Sequence, residues 1–375
     1  MSGRPAVGAA RARMAPGLAW RRLPVLALGL LSLLLGVLSG WARLGLPAPV
    51  PVAQGAGQHA LWMILAFFGT VIALERAVAL GSRWAYVAPL LAGLGGVLLL
   101  RGGPALLCFA LSSTILLAAT LQLWRRQPEP HAGVLVLAAA GHAVGCGLFW
   151  AGAALNAVLP LWLGFLVLTI AGERLELSRL RPRAPGALLS FALWVGLHAG
   201  AALGAAWGLP GSDRFLGGAW LGLALWLMRH DVARHTVRQR GLTGYIAVCL
   251  LSGYGWLLLA GAWGVTHGLP LGTPGTDAAL HALLLGFVFA MVMGHAPIIG
   301  PALLRIQLPF HPAQYLPVIV LHVSVAGRVA ADLLSIPWGR SVAAWGHALA
   351  LVLFIGLLVW RARAASSSSS LPRHV

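Results

Sequence analysis

Histidine is the residue type in this chain with the widest range of chemistry open to it. The sequence has 13 histidines but only 8 acidic side chains, and neutral imidazole is the commonest protein ligand for transition metals and haem iron. Many of these histidines fall inside long apolar segments, where an ionisable side chain is costly and usually faces the interior of a helix bundle. They are His59, His142, His198, His281, His295, His322 and His347.

Two of these histidines, His59 and His281, hold matching positions. Each lies at or near the start of an apolar segment that we expect to enter the membrane from the outer side, so both lie at similar depth near the outer surface. Two imidazoles from facing helices at equal depth can bracket a haem iron axially. The alternative is that each is an interhelical hydrogen-bonding residue or an interfacial residue. The residues alone leave both interpretations open.

Three further histidines are weaker candidates for metal ligands. His198 and His322 lie near the expected midplane of their segments, and His347 lies in the outer half of the last segment. No HxH, HxxH or HExxH spacing occurs in the sequence, so no local metal motif supports them. The alternative for each is a polar residue that hydrogen-bonds to a neighbouring helix.

Two pairs of residues, each with one acidic and one basic member, lie where apolar segments end on the expected cytoplasmic side. They are Glu75 with Arg76 and Glu173 with Arg174. Charged groups at that position are typical of a proton route or a gate. The alternative interpretation is structural: the arginines anchor their helices by snorkelling to the interface, and the acids form local ion pairs.

The amino-acid composition indicates whether these residues lie in water or in a lipid bilayer. Hydrophobic residues make up 59% of the 375 residues, charged residues make up only 9%, and the mean hydropathy is +0.86. So few charges cannot cover a soluble protein of this length. We therefore predict an all-α integral membrane protein whose main partner is the lipid bilayer.

Apolar runs near 20 residues, the length that crosses a bilayer core as a helix, predict about twelve spans. The longest loops between them hold about a dozen residues, so we expect no soluble domain. The predicted spans are 23–45, 59–80, 84–101, 104–124, 131–151, 155–172, 187–208, 214–229, 242–264, 277–299, 313–334 and 339–360.

The basic residues predict the orientation of these spans. All 26 are arginine, and they produce a formal net charge of +18. With the N-terminus inside, most of them fall on the cytoplasmic side, as the positive-inside rule requires. We therefore interpret the charge as orientation and lipid contact rather than nucleic-acid binding, and we expect both termini in the cytoplasm.

Three regions follow from this partition. We expect an arginine-rich cytoplasmic N-terminus at 1–22, a twelve-span bundle at 23–360, and a disordered cytoplasmic tail at 361–375. The three cysteines are far apart in apolar segments, so we expect no disulfide framework and no CxxC site. The oligomeric state is not predicted by the sequence.

Two short sequence motifs recur at intervals of four or eight predicted helices. The word HAL opens the second span at His59 and the tenth at His281, and the pair Glu-Arg closes the second span at Glu75 and the sixth at Glu173. This spacing indicates three arcs of four spans.

The segments that contain these motifs resemble the sequences of a known family. The stretch from His59 to Glu75-Arg76-Ala77-Val78-Ala79-Leu80, the stretch Ala171-Gly172-Glu173-Arg174-Leu175-Glu176-Leu177-Ser178 and the segment HALLLGFVFAMVMGH resemble the NnrS family. NnrS proteins are bacterial inner-membrane proteins associated with the nitric oxide response and are distantly similar to the catalytic subunit of haem-copper oxidases.

The resemblance implies a cofactor and a place for it. It implies a b-type haem, and also copper, in a bacterial cytoplasmic membrane protein built as three arcs of four helices. In the oxidase relatives, histidines of the second and tenth spans bind a low-spin haem, and that role would fall here on His59 and His281. The sixth span has no histidine and the seventh has only His198, so the resemblance does not imply an oxygen-reducing centre.

Two other functions stay open at this point. Twelve spans with both termini inside are also common in secondary transporters of small molecules or ions. A membrane protein that assists assembly, with no cofactor and no turnover, is the third. Whether the protein is an enzyme is not predicted.

Overall fold

The computed structural model describes residues 19–178 and 184–369, with side chains described as far as residue 365. The arginine-rich segment up to residue 18 and the last residues of the expected tail, 370–375, lie outside this range. The described chain is helical and contains no strand. It is an all-α multi-pass membrane protein, as predicted.

Twelve long helices follow one another in the described part of the chain. They are α1 (Leu23–Arg43), α2 (Leu61–Leu80), α3 (Arg83–Arg101), α4 (Ala105–Arg126), α5 (Pro130–Trp150), α6 (Leu155–Ser178), α7 (Ala187–Ala206), α8 (Ser212–His230), α9 (Leu242–His267), α10 (Pro274–Leu304), α11 (Tyr315–Leu333) and α12 (Pro337–Ser369). Short helices at Val50–Gln54 and Ala233–Thr236 lie in two of the connections.

Eleven of these helices are long and apolar enough to cross a membrane. The exception is α8, because Asp213, Arg214 and Arg229 all fall within it. It nevertheless runs the full length of the bundle. Its first turn meets the end of α9, where Asp213 Oδ2 accepts a hydrogen bond from Leu269 N, and Asp231 beyond its last turn reaches the opposite end.

Two helix ends extend farthest past the predicted spans. Helix α6 continues to Ser178, past the predicted end at residue 172, so it includes both members of the Glu173 and Arg174 pair. Helix α12 continues to Ser369, past the predicted end at residue 360. In both cases charged or polar residues continue a helix after its apolar run has ended.

The helices form a closed arrangement with three of them in the centre. Sequence neighbours pack on each other, α12 returns to α1, and α10 contacts both α2 and α6. The share of buried residues is 78% in α6 and 61% in both α2 and α10, against 28–44% in the other spanning helices. The central helices are thus spaced by four along the chain, as expected for three arcs of four.

Helices α2 and α10 share an unusual local structure. Each contains an eight-residue π-helical stretch, Leu61–Phe68 in α2 and Ala282–Phe289 in α10. Such wide turns are rare and are frequent at functional sites. Both stretches follow shortly after the histidine singled out in the sequence, and we call the two ends of the bundle the His59 end and the Glu75 end.

Candidate functional site at the His59 end

Three histidines lie at the His59 end of the bundle, two on the central helices α2 and α10 and one on α12. His59 lies just before the π-helical stretch of α2, His281 just before that of α10, and His347 in the first half of α12. The ring centroids of His281 and His347 are 6.3 Å apart. The sequence singled out all three histidines but did not pair His347 with His281.

An aromatic contact sets His59 and His281 at equal depth. The rings of Phe67 and Phe289 stack with centroids 5.8 Å apart and planes 8° apart. Each phenylalanine follows its histidine by eight residues, through a π-helical stretch of the same length. Because α2 and α10 run in the same direction from this shared contact, the two histidines lie at the same height.

The hydrogen bonds of these two imidazoles leave the same nitrogen available. His59 Nδ1 lies 2.8 Å from the carbonyl oxygen of Gly36, and His281 Nδ1 lies 2.7 Å from that of Asp277. A carbonyl only accepts, so each Nδ1 carries the proton and donates it. The Nε2 atom is then the unprotonated, electron-donating nitrogen, which is the arrangement that most metal-bound histidines show.

Close packing on α1 holds the His59 ring. A Cβ atom added to Gly40 would lie 3.0 Å from His59 Cε1, and one added to Gly36 would lie 2.5 Å from the sulfur of Met63. Only glycine lets α2 approach α1 so closely at these two places. The orientation of His59 therefore depends on α1 through both a hydrogen bond and steric contact.

A buried arginine organises the other side of the site. Arg328 of α11 donates from Nε to Asp332 Oδ2 at 2.7 Å and from Nη2 to Asp277 Oδ2 at 3.3 Å. Arg340 of α12 also pairs with Asp332, at 2.7 Å. Asp277 thus links this ion-pair network to the site, because its side chain meets Arg328 while its carbonyl holds His281.

His347 is the least satisfied of the three. It is 7% exposed, and its Nε2 atom has no hydrogen-bond partner in the part of the chain that the structure describes. Within that part, no group of three or more histidine, cysteine or acidic side chains converges closely enough to hold a metal ion. The cluster therefore offers two matched nitrogen donors and a third nearby imidazole, rather than a three-ligand centre.

The two remaining metal candidates lie in other surroundings. His322 of α11 is fully hydrogen-bonded: Trp256 Nε1 donates to its Nδ1 at 2.9 Å, and its Nε2 lies 2.9 Å from Ser252 Oγ. His198 of α7 packs against the backbone of α6 at Gly164, and neither of its ring nitrogens has a hydrogen-bond partner among the described residues. The structure does not place either one with His59 and His281.

The Glu75 end holds a second polar cluster. Arg76 of α2 donates from Nη2 to Glu173 Oε1 of α6, and lies 3.5 Å from its neighbour Glu75. Arg174 donates from Nε and Nη2 to the two oxygens of Asp231, at 2.6 and 2.8 Å. The pairs Arg76–Glu173 and Arg174–Asp231 join separate parts of the chain, whereas Arg76–Glu75 is a local pair of the kind that the structural interpretation expects.

Tyr254 and Asp231, which the sequence analysis did not single out, and His295, which it did, complete this cluster. Tyr254 of α9 donates to Asp231 Oδ2 at 2.6 Å, and Arg174 Nη1 lies 3.4 Å from His295 Nε2. The Arg174 side chain is only 3% exposed, so it does not snorkel to an interface. An aspartate directly after an apolar span is the one sequence signal that could have identified Asp231, because a carboxylate there needs a partner.

A cavity of about 330 Å³ separates the two clusters. It lies between α1, α2, α6, α10 and α12 and is bounded by aromatic rings toward the His59 end, with Phe67, Phe68 and Phe289 in contact with one another. Its polar lining residues at the other end include Glu75, Glu173 and His295.

Comparison with known proteins assigns no activity to these residues. A family model described as Domain of unknown function (DUF8744) matches residues 22–363, which is most of the chain. A search of curated proteins found no match.

Proposed function

The chain belongs to the family described as Domain of unknown function (DUF8744), so its task must be argued from its own residues, and we propose that it binds a b-type haem between His59 and His281. The matched pair of imidazoles carries this proposal. The two rings lie at equal height on the two central helices α2 and α10, and each donates its Nδ1 proton to a backbone carbonyl. Each therefore presents an unprotonated Nε2, the atom that ligates haem iron.

The surrounding residues have clear tasks in this proposal. Gly36 and Gly40 orient His59, and Asp277, held by Arg328, orients His281. Phe67 and Phe289 separate the site from the cavity below and so keep its surroundings apolar. With two axial histidines, a haem supplies one-electron transfer.

The physiological setting is part of the proposal. We infer a link to nitric oxide or redox stress, and the resemblance to NnrS proteins supports it. We also infer a bacterial inner-membrane location with both termini cytoplasmic, because most of the arginines that the structure describes lie at the Glu75 end. Copper is a less favoured occupant, since no group of three ligating side chains converges in residues 19–178 and 184–369.

The test is an optical spectrum of the full chain. The protein is purified in detergent from cells supplied with 5-aminolevulinate, together with the variants His59→Ala and His281→Ala. We expect the spectrum of a six-coordinate low-spin haem in the parent protein and its loss or conversion to five-coordinate in each variant. Metal analysis on the same samples counts iron and copper per chain.

His322→Ala is the matched control, because His322 is also an intramembrane histidine but is engaged by Trp256 and Ser252. Its spectrum should equal that of the parent. A parent protein without a haem signal, or one whose signal survives the double replacement of His59 and His281, would reject the proposal.

A secondary transporter is the second candidate. The buried ion pairs at the Glu75 end favour it, because charges shared among central helices are typical of gates in transport proteins. The spacing of the central helices by four speaks against it, since transporters with inverted or two-fold repeats divide into equal halves. Equal haem content in parent and variants, with substrate flux in proteoliposomes, would favour this candidate instead.

A further inference from the structure

The cavity between the two clusters has an almost entirely apolar wall. Its lining includes leucine, isoleucine and valine side chains from α1 and α12, and phenylalanine rings from the central helices. Its volume of about 330 Å³ is at the lower end of the range that small-molecule sites occupy. A six-membered aromatic head and the first part of an apolar tail are of a suitable size for it.

The cavity opens sideways between α1 and α12. At the His59 end these helices are joined, with the rings of Trp41 and Trp345 at 4.0 Å and a hydrogen bond from Trp41 Nε1 to the carbonyl of Ala344. Farther along, side chains of both helices line the cavity. Leu30 of α1 and Val359 of α12 are 39% and 45% exposed, and in a bilayer such apolar surface faces lipid. A molecule can therefore enter from the membrane.

The inner end of the cavity presents hydrogen-bond acceptors. The side chains of Glu75 and Glu173 are 28% and 25% exposed, so they are not enclosed by protein. His295 donates its Nδ1 proton to the carbonyl of Met291 at 2.7 Å, and its Nε2 accepts from Arg174 Nη1 at 3.4 Å, so the acceptors open to a ligand are the two carboxylates. A ligand head that fits here must donate hydrogen bonds.

Charge narrows the class of head group further. An anionic head would be repelled by the carboxylates of Glu75 and Glu173. An uncharged head with hydroxyl groups avoids this repulsion and satisfies the acceptors.

We propose that this cavity binds a lipid-soluble hydroquinone, with hydroxyl donation to the carboxylates of Glu75 and Glu173 and its apolar tail leaving between α1 and α12. The phenylalanines at the closed end provide aromatic surface for the ring, since offset and edge contacts between rings are favourable. The proposal concerns binding alone and does not depend on the haem.

The test is equilibrium binding of a radiolabelled decyl-tailed dimethoxy-methyl-hydroquinone to the full chain in nanodiscs, under argon. A second probe, its di-O-methyl ether, has the same tail and ring but no hydroxyl donors. Because a hydrogen bond to a charged acceptor is strong, we expect the ether to bind the parent protein about tenfold more weakly. This comparison needs no variant, so a folding defect cannot affect it.

Variants then locate the site. Leu30→Trp fills the opening and should lower the affinity for the hydroquinone about tenfold or more, and Glu75→Gln should weaken the hydroquinone while leaving the ether unchanged. Leu259→Trp is the matched control, because Leu259 is an exposed leucine on α9 that does not line the cavity. Equal binding of both probes, no binding, or equal effects of Leu30→Trp and Leu259→Trp would overturn the proposal.

Discussion

Arg174 and Asp231 form a buried, two-bond ion pair across 57 residues of sequence, with Nε to Oδ2 at 2.6 Å and Nη2 to Oδ1 at 2.8 Å. Their side chains are 3% and 1% exposed. The same carboxylate also accepts from Tyr254 and from the backbone nitrogen of Ala233. Three parts of the chain, α6, α9 and the connection after α8, are thus tied together at one aspartate.

Breaking this pair from one side should be strongly destabilising. Arg174→Met leaves a buried carboxylate without its cation, so we expect a loss of about 3–5 kcal/mol in the free energy of unfolding. The double variant Arg174→Met, Asp231→Leu removes both charges and should recover a large part of that loss. Denaturant unfolding in detergent measures both.

Arg240→Met is the control for this cycle, because Arg240 is exposed in the connection before α9. It should change the stability by less than about 1 kcal/mol. An effect of Arg174→Met as small as that of Arg240→Met would contradict the stabilising role that the buried geometry indicates.

Arg328 should tolerate neither loss of charge nor replacement by lysine. Arg328→Leu leaves Asp332 with Arg340 as its only cation and releases Asp277, so we expect a loss of about 3 kcal/mol. Arg328→Lys should be intermediate, since one ammonium group cannot reproduce the two separate contacts of the guanidinium. Thermal unfolding of the purified protein checks the order of the two variants.

Arg101→Leu provides the comparison at the same end of the bundle, because Arg101 is exposed. If Arg328→Lys were as stable as the parent, the separate contacts to Asp332 and Asp277 would not matter for stability.

Adding a side chain at Gly40 should disturb His59 specifically. A Cβ atom there lies 3.0 Å from the imidazole, so Gly40→Val must displace the ring. On the proposed function we expect haem affinity to fall about tenfold or more, as for other residues that orient a metal ligand. Titration of haem into the apoprotein, followed optically, measures this.

Gly147→Val is the matched control, because a Cβ atom at Gly147 of α5 would meet nothing within 4 Å. Its haem affinity should equal that of the parent. Equal affinities in both variants would mean that α1 does not position His59.

His322 should contribute to stability and not to the optical spectrum. His322→Ala removes the hydrogen bonds with Trp256 and Ser252, so we expect a loss of about 1–3 kcal/mol in unfolding free energy. Trp256→Phe and the double variant complete a thermodynamic cycle, in which the two changes should be less than additive. Additive losses would show that the two side chains do not act on each other.

Much of the architecture could be predicted from the residues in order. The apolar runs predicted helices at all twelve places, and the motifs HAL and Glu-Arg, recurring every four spans, lie on the helices that the structure places in the centre. The position of a residue along its helix can also be estimated from the sequence, because the rise per residue is nearly constant. That is why His59 and His281 could be paired before any coordinates were known, and the stacking of Phe67 on Phe289 supports their equal height.

The partners of the polar groups could not be predicted in the same way. His198, His322 and His347 look alike in sequence, each being a lone histidine in an apolar span. In the structure one is unpaired against α6, one is satisfied by α9, and one faces His281.

The sequence by itself determined the number, order and approximate bounds of the helices, because these depend on local hydropathy and length. Only the tertiary structure decided that Arg174 meets Asp231, that Arg328 supports His281 through Asp277, and that a cavity opens between α1 and α12. Such contacts depend on how each helix is rotated about its axis and which helix lies beside it. In a chain this rich in small and apolar residues, almost every helix face is apolar, so no hydrophobic stripe specifies that rotation; it follows from close packing across the whole bundle.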